Sequence, residues 1–388
     1  MDDDEKVATI RGQMPSLAGV SYLNTGTSGP LPEAVTAAIC EGAQRQLHHP
    51  RLGMEYFEEM QALKEDVRTV LAAHLGVRPT EIALTHNTTE GMNFITLGVN
   101  WVQGDEAVTT NVEHPGVLLP LWVVKERYGV TIKTADLLDE ASDPVAEVAR
   151  LITPRTKLVS LSHVSYCTGN VLPINEIAAV AHERGVLVLV DGAQAFAALP
   201  VDLAELGVDF YAASGQKWLC GPEGTGVLYS SQAAISQIRP TFASYGSIEA
   251  YNDYGGMLIK PDGRRFEQGT THLPNLEGQL AALRWLTSVG PEWAAGRSRQ
   301  LAATAHHLLS ELEGVRVITD RDQAGLVTFE IDGADPQGVV TSLAAAGILA
   351  RSIPGRDWVR WSLGYFNTAE EIAAAAETLD KILHDRRA

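Results

Sequence analysis

A lysine in an unusual setting is the first candidate for catalysis. Lys217 stands in the segment Ser214-Gly215-Gln216-Lys217-Trp218, directly after a predicted strand and among small and apolar residues. Desolvation lowers the pKa of a lysine and makes its free amine a nucleophile towards aldehydes. Because most lysines keep the ammonium group in water at the surface, the assignment depends on a second residue nearby.

That second residue is Asp191, in the segment Val190-Asp191-Gly192-Ala193-Gln194 at the end of an apolar strand. Ligands of α/β sheets bind at the carboxyl ends of parallel strands, so we expect Asp191 and Lys217 to face one site. A buried carboxylate needs a cationic partner, and a protonated pyridine nitrogen would serve. Such a pair makes the ring an electron sink. Asp191 alone could equally be a loop or helix-cap residue.

Strands alternating with helices position these two segments. Strands are predicted at 82–87, 106–110, 130–135, 157–163, 186–190, 210–214 and 226–230, and helices at 89–99, 116–128, 144–152 and 174–184. This alternation predicts βαβ units and a mostly parallel sheet. Unbroken apolar strands indicate that the sheet is covered on both faces.

The pattern changes near Asn275, where a smaller unit begins. Long helices are predicted at 276–289 and 292–313, a further helix at 336–346, and strands at 315–319, 326–331, 348–352 and 358–362. The last helix is predicted to begin at Thr368, with Glu371 at capping-box spacing. We therefore predict an α/β fold with a large domain at 51–275 and a small C-terminal α+β domain at 276–388. Residues 1–50 are predicted to pack on the small domain or a partner chain, and Tyr245–Gly263 to form an irregular functional loop.

Composition excludes several classes of protein. With 30 basic and 48 acidic residues the formal net charge is −18, which repels nucleic-acid backbones. Neither a signal peptide nor a run of 18 apolar residues is present, so we expect a cytoplasmic protein without a membrane partner. The cysteines, Cys40, Cys167 and Cys220, are far apart and form no CxxC, so neither a metal site nor a disulfide framework is predicted.

With these motifs the chain resembles the fold-type-I pyridoxal-phosphate (PLP) enzymes of the class V aminotransferase group. That group includes cysteine desulfurases, isopenicillin N epimerase-like proteins and cysteine/cystine C–S lyases. The resemblance runs from Tyr22-Leu23-Asn24 to the final helix. It implies that Lys217 is the Schiff-base lysine, that Asp191 pairs with the pyridine nitrogen, and that Gln194 donates to the cofactor phenolate oxygen.

Other cofactor contacts follow from the same resemblance. His114, in Glu113-His114-Pro115-Gly116, matches the catalytic imidazole that stacks on the cofactor ring. Thr88 and Thr89 match the phosphate-binding turn at a helix N-terminus, where backbone N–H groups favour an anion. Ser214 matches another phosphate ligand. Gln216 replaces the histidine usual in the family, and since its amide is uncharged, weaker phosphate binding is predicted.

The resemblance also implies a substrate site and a partner subunit. Arg360, in Val359-Arg360-Trp361-Ser362, matches the arginine that binds the substrate α-carboxylate, for which a guanidinium fork is well suited. Asn24 matches the segment that borders this carboxylate. Thr270 matches a residue that reaches the phosphate in the neighbouring subunit, which implies a homodimer.

Sulfur chemistry separates the candidate functions. Cysteine desulfurases carry a persulfide-forming cysteine shortly before the carboxylate arginine, and no cysteine stands between Gln323 and Arg360. The resemblance therefore favours a PLP-dependent C–S lyase, acting by β-elimination on cystine or a cysteine S-conjugate and releasing thiol or persulfide, pyruvate and ammonia. Related enzymes serve sulfur-antibiotic assembly in secondary metabolism. An epimerase, an aminotransferase or a decarboxylating deaminase stays open, as does an inactive binding relative.

Overall fold

The computed structural model describes residues 2–139, 141–320 and 323–387, with side chains up to residue 384. Met1 and Ala388, the outer limits of the first and last predicted domains, lie outside the described residues. The strands are β1 Ser21–Tyr22, β2 Ile82–Thr85, β3 Glu106–Thr110, β4 Thr131–Ala135, β5 Thr156–Ser162, β6 Leu187–Asp191, β7 Phe210–Ser214, β8 Gly226–Ser230, β9 Ile248–Tyr251, β10 Met257–Ile259, β11 Val315–Val317, β12 Leu326–Ile331, β13 Ile348–Leu349, β14 Arg351–Ser352 and β15 Trp358–Ser362. The helices are α1 Asp3–Gly12, α2 Glu33–His48, α3 Met54–Leu75, α4 Thr88–Gly98, α5 Pro115–Tyr128, α6 Pro144–Leu151, α7 Ile174–His182, α8 Leu203–Leu206, α9 Leu273–Val289, α10 Pro291–Ser310, α11 Pro336–Ala345 and α12 Ala369–Arg387.

A seven-stranded sheet in the order β2-β8-β7-β6-β5-β3-β4 forms the larger part of the fold. Strands β4, β3, β5, β6 and β7 run parallel, which confirms the predicted mostly parallel sheet. Side chains of β6 alternate between two apolar clusters, with Val188 and Val190 in one and Leu189 in the other. The sheet is therefore buried on both faces, as expected for apolar strands connected by helices.

A four-stranded antiparallel sheet in the order β11-β12-β15-β14 forms the smaller part. It packs with α10, α11 and α12 around a separate core that includes Phe329 and Trp361. The predicted start of α12 is confirmed, since the Glu371 N–H donates to the Thr368 hydroxyl at 3.2 Å and the Thr368 N–H donates to the Glu371 carboxylate at 3.1 Å. The two sheets confirm the predicted α/β fold with a small C-terminal α+β part.

The first 50 residues contact both parts of the fold. Strand β1 pairs in parallel with β13, and Arg11 lies 2.8 Å from the Glu371 carboxylate. Helix α2 packs along α9, and its Val35 belongs to the core beneath the larger sheet. The segment between β1 and α2 therefore runs from the smaller sheet to the larger one.

The sequence left one strand direction open, and two local predictions differ from the structure. Strand β8 runs antiparallel to both its neighbours, because the short connection 215–225 contains no helix that could return the chain across the sheet. The strand predicted at 348–352 is divided into β13 and β14, which pair with β1 and β15 respectively. Residues Tyr245–Gly263 are not wholly irregular, since they contain the antiparallel hairpin β9–β10. Of the helices in the described ranges, none combines the length and the apolar character needed to cross a membrane.

Candidate active site

A cavity of about 220 Å³ lies at the carboxyl ends of β5, β6 and β7, between the two sheets. Most of the side chains proposed from the sequence line it, namely Thr88, Thr89, His114, Asp191, Gln194, Ser214, Gln216, Lys217 and Arg360. The two remaining candidates, Asn24 and Thr270, are not among the described residues that line it. Side chains from distant parts of the chain thus converge as parallel-sheet geometry requires.

Lys217 reaches the cavity from a tight turn after β7. The turn is closed by a bond from the Gly215 N–H to the Thr225 carbonyl at 2.9 Å, and a Cβ at Gly215 would collide with the Thr225 hydroxyl. Desolvation lowers the pKa of Lys217 to about 8; Asp191 opposes this shift, whereas Arg360 adds to it. The fraction of free amine at neutral pH is therefore much larger for Lys217 than for an ordinary lysine, as a nucleophile or proton acceptor needs.

Asp191 ends β6 in the interior of the molecule, where it is 4% exposed. Its Oδ1 accepts a hydrogen bond from the Ala193 N–H at 2.8 Å. Desolvation raises the pKa of this carboxyl, and the opposite charge of Lys217 and the Ala193 bond partly offset that increase. A buried carboxylate with one backbone donor among the described residues is suited to pair with a cationic nitrogen in the cavity.

Hydroxyl groups and a helix N-terminus form one end of the cavity. Helix α4 begins at Thr88, whose N–H donates to the Ser214 hydroxyl at 3.1 Å and whose own hydroxyl is hydrogen-bonded to the same oxygen. In the described part of the chain, the buried Gln216 Oε1 has no hydrogen-bond partner. Since amide O and N are interchangeable by rotation, Gln216 can present a donor here. These groups fit a phosphate, because hydroxyls, an amide and a helix N-terminus all donate to anions.

His114 is held as a neutral imidazole at the cavity wall. It caps α5, and its Nδ1 accepts from the Gly116 N–H at 3.0 Å, which leaves the proton on Nε2. Desolvation lowers the pKa of His114 to about 4, and the positive charge of Lys217 contributes to this shift. Its ring meets Tyr166 edge-on, with centroids 5.0 Å apart. A neutral ring in this position is suited to contact an aromatic cofactor face.

Gln194 is oriented from both ends of its side-chain amide. Trp218 Nε1 donates to Gln194 Oε1 at 2.9 Å, and Gln194 Nε2 donates to the Gly26 carbonyl at 2.8 Å. An amide nitrogen carries two hydrogens, so one donor remains for a ligand in the cavity.

Two arginines lie side by side at the other end of the cavity. Arg351 and Arg360 are register partners on β14 and β15, and both line the cavity. Arg360 is fully buried, and its Nη1 donates to the Tyr166 carbonyl at 2.8 Å. Burial lowers the pKa of both guanidinium groups, and Arg351 lowers that of Arg360 further. Among the described residues neither forms an ion pair with a carboxylate, which indicates an anionic ligand.

The sequence reasoning missed Arg351. An arginine on each side of the Pro354-Gly355 turn was an available signal, because such a turn brings flanking strands together. It also missed Thr27 and Tyr166, which line the cavity. Neither belongs to a motif of catalytic spacing.

The two candidates outside the cavity lie in different settings. Asn24 contacts the cavity-lining Thr27, and Asn24 Oδ1 accepts a hydrogen bond from the Thr27 hydroxyl at 2.7 Å. Thr270 is exposed, and its hydroxyl lies 3.1 Å from that of Tyr245.

The cysteines are also not among the described residues that line the cavity. Cys167 is buried against Val112, Ile353 and Trp358, and burial raises the pKa of its thiol. Burial raises the pKa of Cys220 to about 12. No described cavity-lining residue is a cysteine.

Similarity to known proteins covers the fold and the cavity together. The family model for aminotransferase class-V matches residues 21–374. A probable cysteine desulfurase of Halalkalibacterium halodurans is 31% identical over 97% of this chain and 96% of its own. The solved complex of the cystine C–S lyase C-DES with its reaction product, cysteine persulfide, is 33% identical, with a TM-score of 0.90 over 95% of this chain and 99% of that one. A C-DES mutant with glycine covalently linked to its PLP cofactor, also 33% identical, has a TM-score of 0.91 over 95% and 98%.

Proposed function

The chain belongs to the class-V aminotransferase family, and from this premise we propose that it cleaves the Cβ–S bond of cystine or a cysteine S-conjugate by β-elimination. It is a PLP-dependent enzyme of the carbon–sulfur lyase kind. One observation carries the choice of substrate: Arg351 and Arg360 form a cationic end of the cavity that contains Lys217, and no described carboxylate pairs with either arginine. Two guanidinium groups suit a substrate with two carboxylates, as cystine has.

We further propose which residues hold each part of the cofactor, and the donors and charges of the cavity support this assignment. Thr88, Thr89, Ser214 and Gln216 would hold its phosphate, and Asp191 its pyridine nitrogen. Gln194 would donate to its phenolate oxygen, His114 would contact its ring, and Lys217 would bind its aldehyde. When bound, the cofactor withdraws electrons from the substrate Cα and so makes the Cα–H bond acidic.

The protein's own residues then bind the substrate and move one proton. Arg360 binds the α-carboxylate, and Lys217 Nζ takes the proton from Cα. The Cβ–S bond breaks with its electron pair on sulfur, which takes up a proton. The three-carbon part reacts with water to give pyruvate and ammonia, so that cystine yields cysteine persulfide as the sulfur product. No oxidant, reductant or enzyme thiol is required in this balance.

The products distinguish this function from the alternatives. Purified holoenzyme is incubated with cystine, cysteine and an isopenicillin-like peptide, and pyruvate, ammonia, persulfide, alanine and epimers are measured together. We expect equal amounts of pyruvate and persulfide from cystine. Alanine with sulfur bound to the enzyme would instead indicate a desulfurase, an epimer would indicate an epimerase, and accumulation of pyridoxamine phosphate would indicate a transaminase.

A variant with Cys40, Cys167 and Cys220 all replaced by serine provides the control in the same assay. Elimination should continue, since it needs no thiol of the protein. Circular dichroism and cofactor content check the fold first, because substitutions at buried positions destabilise. A folded, cofactor-loaded variant without activity would contradict the elimination and favour a desulfurase using Cys167.

We further propose that the enzyme is a homodimer in which Thr270 reaches the neighbouring active site. In support, the segment around hairpin β9–β10 exposes Phe242, Tyr251, Tyr254 and Met257, and apolar patches of this kind mark contact surfaces. Light scattering should give the mass of two chains, and Thr270→Ala should lose cofactor more readily than the wild type. A monomeric active enzyme, or unchanged cofactor affinity in Thr270→Ala, would contradict this proposal.

A further inference from the structure

Thr27, on the segment between β1 and α2, connects the two arginines of the cavity. Its hydroxyl accepts from Arg351 Nη1 at 3.1 Å and from Arg360 Nη2 at 3.4 Å, and it donates to Asn24 Oδ1 at 2.7 Å. A hydroxyl has one donor and two acceptor sites, so these three bonds use all of them. One oxygen thus holds two like charges together and is itself oriented by Asn24.

The segment that carries Thr27 is fixed by backbone contacts on both sides. The Thr25 N–H donates to the Ser362 carbonyl at 3.2 Å, and the Gly29 N–H donates to the Gln216 carbonyl at 2.7 Å. A Cβ at Gly29 would collide with the carbonyl of Lys217, so glycine permits this close approach. The Thr27 hydroxyl is therefore positioned by the chain around it before any substrate binds.

The two arginines depend on Thr27 to different degrees. Arg360 is fully buried and is also held by the Tyr166 carbonyl at 2.8 Å. Arg351 is partly exposed, and its other described hydrogen bond runs from Nε to the Ser352 carbonyl at 3.2 Å. Thr27 is thus the described residue that holds Nη1 of Arg351 at the cavity. Without that bond, repulsion from Arg360 and access to water favour a rotation of Arg351 away from the site.

We propose that Thr27 is a positioning residue that determines specificity: it holds Arg351 beside Arg360, so that the site prefers a cysteine derivative with a second carboxylate. Arg360 then binds the α-carboxylate and Arg351 the distal one. This inference rests on the proposed function, and it assigns the selection of the distal group to a residue that acts through its hydrogen bond to Arg351.

The test compares substrates that differ in the distal charge. Thr27→Val removes the hydroxyl and keeps the shape of the side chain. Thr27→Ser keeps the hydroxyl and removes the methyl group. For cystine and S-carboxymethylcysteine, Thr27→Val should raise KM by about ten- to a hundredfold, as expected for a lost hydrogen bond to a charged group. For S-carbamoylmethylcysteine, whose distal group is neutral, KM should change by less than about threefold. The kcat values should stay near those of the wild type, and Thr27→Ser should restore the preference.

Thr25→Val is the matched control, because Thr25 lies on the same segment, is 1% exposed, and has a hydroxyl without a partner in the described part of the chain. It should leave the KM values of all three substrates unchanged. Arg351→Gln should reproduce the effect of Thr27→Val, and the double variant should add little, since both changes remove the same contact. If Thr27→Val does not fold, Thr27→Ala removes the same hydroxyl with less bulk.

Failure of this inference and failure of the proposed function give different results. Suppose that the wild type cleaves cystine, but that Thr27→Val has the same ratio of KM values for S-carboxymethylcysteine and S-carbamoylmethylcysteine as the wild type. The inference is then wrong and the lyase function stands. If the wild type cleaves none of these substrates, the lyase function is wrong. Calorimetry of the holoenzyme with glutarate and with its monoamide then tests the role of Thr27, because it measures binding and needs no turnover. A preference for glutarate that Thr27→Val abolishes supports the role, and an unchanged preference overturns it.

Discussion

Lys217→Ala should abolish cleavage while the protein still folds and still binds PLP through its phosphate and ring contacts. The variant loses the group that binds the aldehyde and the base that takes the Cα proton, and we expect a loss of about 10⁴-fold or more in kcat/KM. Pyruvate release measures the rate, and the cofactor absorbance measures binding. Normal turnover in this variant would remove the central assignment of the site.

Lys133→Ala is a suitable control for this experiment. Lys133 is also a partly buried lysine, but it pairs with Glu106 at 2.7 Å and lies outside the described cavity lining. It should retain activity.

The pH dependence of the Lys217 amine gives a readout independent of turnover. Because burial lowers the pKa of Lys217 to about 8, its free-amine fraction should rise through that pH instead of near the usual value for lysine. Reductive labelling of the cofactor-free protein with an aldehyde, followed by mass spectrometry, measures this fraction. The exposed Lys125 in the same sample serves as the internal reference. Labelling of Lys217 that rises only near the usual pKa of lysine would contradict the burial argument.

Asp191→Asn should reduce the rate by about 10³-fold or more, because a neutral amide cannot hold the pyridine nitrogen protonated. The shape of the side chain is kept, and the amide oxygen can still accept from the Ala193 N–H. Since Asp191 raises the pKa of Lys217, the variant should also shift the labelling profile of Lys217 to lower pH. A loss below tenfold with an unshifted profile would show that Asp191 is structural.

Asp209→Asn provides the comparison for a buried carboxylate at the far end of the sheet. Asp209 precedes β7, accepts from the Val188 N–H at 2.8 Å, and lies 2.8 Å from His182. This substitution should lower the free energy of unfolding but leave kcat unchanged. A matched loss of kcat in both variants would mean that the Asp191 effect arises from the fold.

The sequence by itself determined the parallel sheet and the centre of the candidate site. Strands and helices each have a characteristic spacing of apolar residues. This spacing depends only on residues that are close in sequence, so it predicts the elements of the fold without knowledge of their packing. Asp191 ends one such strand, Lys217 lies three residues after the next one, and parallel strands end at the same edge of the sheet. The predicted positions of the strands were therefore enough to infer that Asp191 and Lys217 lie close together.

Only the tertiary structure decided which groups complete the site. Arg351 faces the cavity because β14 and β15 pair with Arg351 opposite Arg360, and a shift of one residue would turn it to the other face. Thr27 meets Arg351 across 324 residues of chain. The direction of β8 and the hairpin β9–β10 likewise depend on how loops close. Such contacts are set by strand register and by the packing of distant segments, and local periodicity carries no information about either.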